Sequence, residues 1–285
     1  MKIILSRKGF DSKYGGMPSP ILPDGTLLSL PIPTGNSGVK FSDLKSGYRN
    51  KSYFDIINEL KPKFDFKRRG ICHLDPDVKR EVRKREKGWE PAFGQTGGAQ
   101  THLIKTGEVK ENDLFLFFGW FKQTEYDKKG KLQFIKGKYQ DKHIIFGYLQ
   151  IGKIYNGNVE IQKTLPTYLR SHPHYLNMKS PDYKINCIYE ARKELNANFH
   201  PKLDGAGCFK YDKRLVLTKD GDYTRTQWDL PSFFKNVKIS HHSPDSFKKD
   251  HFKSVDIGQE FVIDANRKVI DWANKNIIIG TKTLK

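Results

Sequence analysis

We predict an α+β fold for this chain of 285 residues, with a bent, mainly antiparallel sheet or partial barrel and a few flanking helices. Short apolar runs of strand length recur along the sequence, and turn-rich loops separate them. Few segments show helical periodicity, and this excess of strands over helices favours an α+β arrangement. No composition break, Pro/Gly/Ser-rich linker or internal repeat divides the chain, which predicts a single domain over residues 1–285.

In the first third of the chain, KIIL (2–5) predicts an opening strand, and TLLSLPI (26–32) predicts a strand within a loop rich in Gly, Pro, Ser and Asp. SYFDIINELK (52–61) predicts a short amphipathic helix. PDVKREVRKREK (76–87) predicts a strongly charged helix, because Pro76 suits the first helical position.

The strongest strand signal is DLFLFFGWF (113–121), and HIIFGYLQIGKIY (143–155) is its natural partner. Between the two, residues 122–142 predict an exposed basic hairpin or flap. Further elements are predicted towards the C-terminus: strands at NCIYEARKEL (186–195), RLVLT (214–218) and EFVID (260–264), and an amphipathic helix at NRKVIDWANKNI (266–277).

The composition is strongly basic, since 51 Lys and Arg against 32 Asp and Glu give a net charge of +19. Such a field attracts polyanions, and aromatic residues, at 13%, offer rings on which bases stack. We therefore expect a nucleic acid or nucleotide as partner, with DNA as the expected polymer. The alternative is that an AT-rich genome enriches lysine everywhere.

The apolar runs and the cysteines indicate the cellular compartment. No apolar run is long enough for a membrane span or a secretory signal. The three cysteines form no CxxC pair, which favours a reducing cytoplasm over a disulfide framework or a structural zinc site.

Several motifs together carry a family resemblance. They are LSRKGFDSKYGGMPSPILPDGTLLSLPIP (5–33), HLDPD (73–77), FGQTGGAQTHL (93–103), DGAGCF (204–209) with LVLT (215–218), TQWDLPSFF (226–234) and IGQEFVID (257–264). In their order and spacing the motifs resemble the nucleotide-modification-associated domain 3 family. The resemblance implies an association with DNA-modification systems of bacteria and their phages, and so with modified nucleic acid. It implies no set of catalytic residues.

A more local resemblance concerns residues 113–155. An aromatic strand, a loop and an apolar strand containing Gly resemble the central hairpin of PUA-like barrels, the EVE and ASCH group. That resemblance implies binding of RNA or of modified DNA bases.

The loop after the first strand is the first candidate site. Glycines free backbone amides there, and nearby cations would complete an anion cradle, although the spacing is not that of a phosphate-binding P-loop. The alternative is a tight turn whose Asp and Ser bond their own backbone. The candidate substrate-binding residues of this loop are Ser6, Arg7, Lys8 and Ser12, with Asp11 as a candidate catalytic group.

The motif CHLDPD presents two alternatives. On an extended backbone, His73, Asp75 and Asp77 would share one face. There they could bind a divalent ion or act in acid–base catalysis. If a helix instead begins at Pro76, Asp75 is its N-cap and Asp77 complements the helix dipole. We predict the capped helix, no metal, and a catalytic or ligand-binding role for His73.

The Gly-rich loop at residues 94–102 is the second candidate site. Gln95 and Gln100 could read a base edge, and the loop ends at His102, a further candidate catalytic residue. Turn geometry alone also explains its glycines.

Three later segments carry weaker signals. The pairs His172/His174 and His241/His242 lack a metal-ligand partner at diagnostic spacing, so we interpret them as polar loop residues. Arg225 beside Trp228 could hold a base or phosphate, with Trp228 as a core anchor as the equal alternative. Gln259 and Glu260 begin a strand, where Glu260 is a candidate buried carboxylate.

We therefore expect a protein that recognises or helps make a modified base, in a bacterial or phage DNA-modification or defence setting. The loops after the first strand, at His73 and at residues 94–102, would line one pocket. The alternatives are a metal-dependent nuclease or base-modifying transferase, and a non-catalytic interaction subunit with a basic surface. The sequence indicates no particular cofactor and leaves open whether the protein is an enzyme.

Overall fold

The computed structural model describes residues 1–199, 202–255 and 260–282. The strands are β1 (Lys2–Arg7), β2 (Ser19–Ile21), β3 (Val39–Lys40), β4 (Ile71–Cys72), β5 (Ala92–Thr96), β6 (Leu114–Tyr126), β7 (Leu132–Phe134), β8 (Lys142–Asn156), β9 (Asn186–Ala191), β10 (Ala206–Cys208), β11 (Gln227–Trp228), β12 (Phe252–Lys253) and β13 (Glu260–Asp264). The helices are α1 (Tyr53–Leu60), α2 (Phe66–Arg69), α3 (Gly97–Thr101), α4 (Asn158–Thr164), α5 (Pro173–Leu176) and α6 (Arg267–Lys282).

Within these residues, nine strands form one mixed sheet that does not close into a barrel, and the α+β prediction is confirmed. Its path runs β13-β1-β6-β8-β9-β5, while β2 and β7 pair with β6 and β10 pairs with β8. Most pairs are antiparallel, and β6 meets β1 and β2 in parallel. Register shifts at Phe117/Phe118 and at Ile151/Lys153 bend the long strands, as bulges do.

The centre of the sheet is the predicted pairing of β6 with β8, whose side chains are almost continuously buried. A strand that is covered on both faces is expected to carry apolar side chains on both faces. The sequences of β6 and β8 are therefore nearly continuous apolar runs, which makes these two strands easy to predict. The predicted strands at residues 2–5 and 260–264 lie beside β6 as β1 and β13. The predicted helix at 266–277 is confirmed as the longer α6.

Residues 122–142 include the end of β6, strand β7 and the turn that joins them. Leu132 is buried against α1 and neighbouring apolar side chains, and its backbone N–H donates to Glu59 Oε2 at 3.1 Å. The hairpin therefore packs on α1. That helix forms where predicted, because Ser52 and Asp55 complete a capping box at its start.

The predicted helix at 76–87 is wrong: only residues 80–82 make a 3₁₀ turn. The three arginines of this segment contact buried residues instead of forming a solvated helical face. Arg85 donates to the Asp77 carboxylate at 2.7 and 2.5 Å, and both Arg80 and Arg85 stack over the buried ring of Trp89. Asp77 also forms a bridge to Ala92, which holds the chain in an extended course.

The predicted strands at 26–32 and 214–218 are also wrong. The first segment contains Pro31, which lacks a backbone donor, and it contributes only isolated bridges although its leucines are buried. The second begins as a 3₁₀ turn at Lys213–Leu215 and then makes isolated bridges, from Val216 to β8 and from Thr218 to β11. Across the described ranges, no helix has the length and apolar character to cross a membrane.

Candidate functional site

A cavity of about 450 Å³ opens where β1 and β5 end. Among the predicted site residues, those that line it are Arg7, Lys8, Asp11, His73, Gln95 and Arg225. Trp120, His174 and Tyr183 complete much of the remaining wall. A larger cavity of about 970 Å³ is lined by Asp75 and Asp77 but, as far as the described ranges go, by none of the other predicted site residues.

Lys8 and Gln95 are held by a buried carboxylate. Glu260, 1% exposed, accepts from Lys8 Nζ at 2.9 Å and from Gln95 Nε2 at 2.5 Å through the same oxygen, Oε1. The predicted buried carboxylate at Glu260 is therefore present, whereas Gln259 lies outside the described residues. Gln95 Oε1 also accepts from the Thr96 amide, so both ends of this amide already have protein partners.

Arg225 and Trp120 form a flat surface on the cavity wall. The Arg225 guanidinium lies 4.5 Å from the centre of the Trp120 ring, and Trp120 Nε1 donates to Asp141 Oδ1 at 2.6 Å. Sequence reasoning paired Arg225 with the wrong tryptophan. Trp228 is fully buried and donates to His143 and to the Arg225 carbonyl, so it is a core residue, the alternative allowed above.

The loop after β1 contains a tight turn. Asp11 Oδ1 accepts from the backbone amides of Lys13 and Tyr14 at 2.7 and 2.5 Å, which is the self-bonding turn considered above. Ser12 is exposed and lies 3.5 Å from Arg225, while Ser6 is buried within β1.

His102 and Gln100 lie away from the cavity lining. His102 packs against His241, with ring centres 4.2 Å apart and the rings tilted by 40°, and His102 Nε2 lies 3.0 Å from Ser240 Oγ. Gln100 is buried and accepts from the Tyr189 hydroxyl at 2.9 Å. The expectation that this loop and His73 line one pocket is therefore wrong for His102 and Gln100, because α3 turns both side chains into other contacts.

A histidine–aspartate cluster lies at the His73 side of the cavity. Asp75 Oδ2 is 3.9 Å from His73 Nε2 and 3.9 Å from His174 Nε2, and Asp75 Oδ1 is 3.3 Å from His172 Nε2. The predicted N-cap at Asp75 is wrong: no helix begins at Pro76, and Asp75 Oδ1 accepts from the Gly94 amide at 2.7 Å.

Three elements position this cluster. His73 and Asp75 follow β4 on an extended segment, and α5 supplies His174, with His172 as its N-cap. Gly94 in β5 makes room, since a Cβ there would lie 2.2 Å from the His174 ring. Sequence reasoning missed His172 and His174 because their partner, Asp75, is about a hundred positions away in the chain. The local sequence offered one signal for the pair, the HPH motif at residues 172–174.

The protonation states follow from burial. Burial lowers the pKa of His73 to about 4 and that of His174 to about 3, despite the nearby carboxylate. Burial alone would raise the pKa of Asp75, but the hydrogen bond from His172 and the adjacent imidazoles outweigh it and bring the pKa to about 2. At neutral pH Asp75 is therefore ionised, and His73 and His174 are neutral.

Asp77 takes no part in this cluster. It is buried between Arg85 and Arg83, with Arg83 Nη2 at 3.8 Å from Oδ2. The extended face of His73, Asp75 and Asp77 considered from the sequence is therefore not formed. His174 takes the place of Asp77 beside His73 and Asp75. Atoms that could ligate a metal, one each from His73, Asp75 and His174, lie within 4.8 Å of one another.

A family model described as nucleotide modification associated domain 3 matches residues 2–264. No curated protein and no solved structure matches the chain.

Proposed function

We propose that the cavity binds a nucleotide or a modified nucleic-acid base, since the chain belongs to the nucleotide modification associated domain 3 family. The observation that carries the proposal is the Arg225–Trp120 pair on the cavity wall. A guanidinium held over an indole offers a flat, cationic surface on which a base stacks.

Size and charge support the same ligand class. A volume of about 450 Å³ lies within the range of small-ligand sites. Arg7 at the same opening adds positive charge for a phosphate, whereas the charge of Lys8 is balanced by Glu260. The net charge of +19 attracts a polyanion over longer distances.

The finer role that we propose is recognition, or help in the synthesis, of a modified base in DNA, in the cytoplasm of a bacterium or phage-infected cell. A metal-dependent nuclease or base-modifying transferase would use the same cavity and release a product. An interaction subunit would bind DNA through its basic surface and leave the cavity unused.

Binding by isothermal calorimetry tests the proposal, with deoxynucleoside monophosphates and with short single strands carrying one 5-hydroxymethylcytosine. Loss of a stacking ring costs about 1–3 kcal/mol per base, so Trp120→Ala should weaken binding about 5- to 150-fold. Arg225→Ala should weaken it too. Arg170→Ala is the matched control, because Arg170 is exposed and stacks on Tyr175 outside the cavity.

Unchanged affinity in Trp120→Ala and Arg225→Ala, with both variants folded, would refute the cavity as the nucleotide site. Oligonucleotide binding that is unaffected by these two substitutions but is lost at high salt would favour the interaction subunit. Mass spectrometry of the incubated oligonucleotide separates the enzymatic alternatives, since a nuclease shortens the strand and a transferase raises the mass of one base.

A further inference from the structure

We propose that His73, Asp75 and His174 bind one divalent first-row transition cation, of the Zn²⁺ or Fe²⁺ class, at the wall of the cavity. The inference goes beyond the nucleotide proposal and stands on side-chain geometry alone. It also reverses the expectation, drawn from the sequence, that no metal is bound.

The first step is the spacing of the donors. Asp75 Oδ2 lies 3.9 Å from both His73 Nε2 and His174 Nε2, which is too long for hydrogen bonds. Tetrahedral zinc bonds to imidazole and carboxylate of about 2.0–2.2 Å place neighbouring ligand atoms roughly 3.3–3.6 Å apart. The donors thus surround a point that a cation would occupy after each moves inwards by a fraction of an ångström.

The second step is the tautomer of His174. Asn186 Nδ2 donates to Asn158 and to the His174 carbonyl, so Asn186 Oδ1 is the acceptor towards His174 Nδ1, at 2.6 Å. His174 Nδ1 therefore carries the proton, and Nε2, which lies 3.9 Å from Asp75 Oδ2, carries the lone pair. Metal-binding histidines are typically fixed in this way through their other ring nitrogen.

The third step is the support of the carboxylate. Asp75 Oδ1 accepts from the Gly94 amide at 2.7 Å, and His172 Nε2 lies 3.3 Å from it. His172 Nδ1 accepts from the His174 amide, so His172 Nε2 carries the proton, 3.3 Å from Asp75 Oδ1. His172 is accordingly a positioning residue, and Asp75 Oδ2 remains directed at the other two imidazoles.

The donor set selects the class of metal. Two imidazoles and one carboxylate suit Zn²⁺ or Fe²⁺, whereas Mg²⁺ and Ca²⁺ prefer oxygen ligands throughout. Three protein ligands leave coordination positions for water or a bound molecule. All three residues line the cavity, so those positions would be reached from it.

The experiment titrates the full-length protein, stripped with EDTA and then freed of chelator, with ZnCl₂, CoCl₂, anaerobic ferrous sulfate or MgCl₂ alone. We expect one equivalent of Zn²⁺, Co²⁺ or Fe²⁺ by calorimetry, visible absorption bands from bound Co²⁺, and no binding of Mg²⁺. Asp75→Asn and His174→Gln should each weaken Zn²⁺ binding by at least the 10–100-fold typical of losing even an outer partner.

Two further variants complete the design. His73→Gln, at the more exposed member of the set, should weaken Zn²⁺ binding even if the buried variants fail to fold, while His102→Gln is the control that retains full affinity. Stoichiometry below one half, unchanged affinity in folded Asp75→Asn or His73→Gln, or an equal loss in His102→Gln would overturn the proposal. No nucleotide is present, so the result is independent of the nucleotide titrations, which are run in EDTA.

Discussion

Replacing Gly94 with alanine tests how tightly β5 packs on the histidine cluster. An added Cβ would lie 2.2 Å from His174 Cδ2 and 2.4 Å from Cγ, where ordinary carbon contacts are about 3.5–4.0 Å. The ring cannot retreat freely, because His174 is buried, bonded to Asn186 and packed edge-on against Tyr183. Overpacking of this kind costs about 1–3 kcal/mol.

Alanine also has a stabilising effect, which must be subtracted from this steric cost. Gly94 has no positive φ, so alanine can adopt its backbone conformation and gains about 0.4–1 kcal/mol by restricting the unfolded chain. We therefore expect a net loss in the free energy of unfolding of about 1–2 kcal/mol. Urea unfolding followed by circular dichroism measures it, together with a Zn²⁺ titration that should show weaker binding.

Gly98→Ala is the matched control, four positions along the same segment. Nothing lies within 4 Å of a Cβ there, so this variant should gain stability. In a double-mutant cycle, removing the ring with His174→Ala should abolish most of the cost of Gly94→Ala. The steric argument is refuted if Gly94→Ala is as stable as the parent protein, or if its cost persists without the ring.

The remaining predictions concern stability and salt. Asp77→Ala should lower the free energy of unfolding by about 3–5 kcal/mol in urea, because it leaves the Arg85 guanidinium buried and unpaired, whereas Asp220→Ala, in an exposed pair, should leave the midpoint unchanged. Ser52→Ala should cost about 1 kcal/mol in thermal unfolding through loss of the α1 cap, and a cost near zero would contradict that role. Affinity for single-stranded DNA should fall with salt with a log–log slope of magnitude about 3 or more, and a flat response would point to lysine enrichment without nucleic-acid binding.

The elements that the sequence predicts correctly are those whose local pattern agrees with their burial. Strands β6 and β8 read as apolar runs because both faces are covered, and α1 combines helical periodicity with its own cap. The segment 76–87 shows the opposite case. Its cations indicate a solvated helix, but Asp77 and Trp89 are buried and draw Arg85 out of any helical register.

The part of the site that the sequence predicts correctly consists of polar residues at the ends of strands. Arg7 ends β1, Lys8 follows it and His73 follows β4, and they meet in one cavity for that reason. His174 was not predictable from spacing, because it reaches Asp75 only through α5 and the pairing of β9 with β5. Trp120 was hidden in the same way within an apolar strand that reads as core.

The two carboxylates of CHLDPD show why tertiary neighbours decide between structure and chemistry. Asp75 and Asp77 have the same side chain, and a sequence pattern treats them alike. Asp77 is enclosed by the charges of Arg83 and Arg85, which satisfy its carboxylate and would repel an approaching cation. The groups nearest the Asp75 carboxylate are instead the imidazoles of His73, His172 and His174, and burial lowers the pKa of His73 and His174 so that these two rings are neutral at pH 7. A buried carboxylate in that state is stabilised by a bound metal ion, which is the physical reason to expect the cation at Asp75 and not at Asp77.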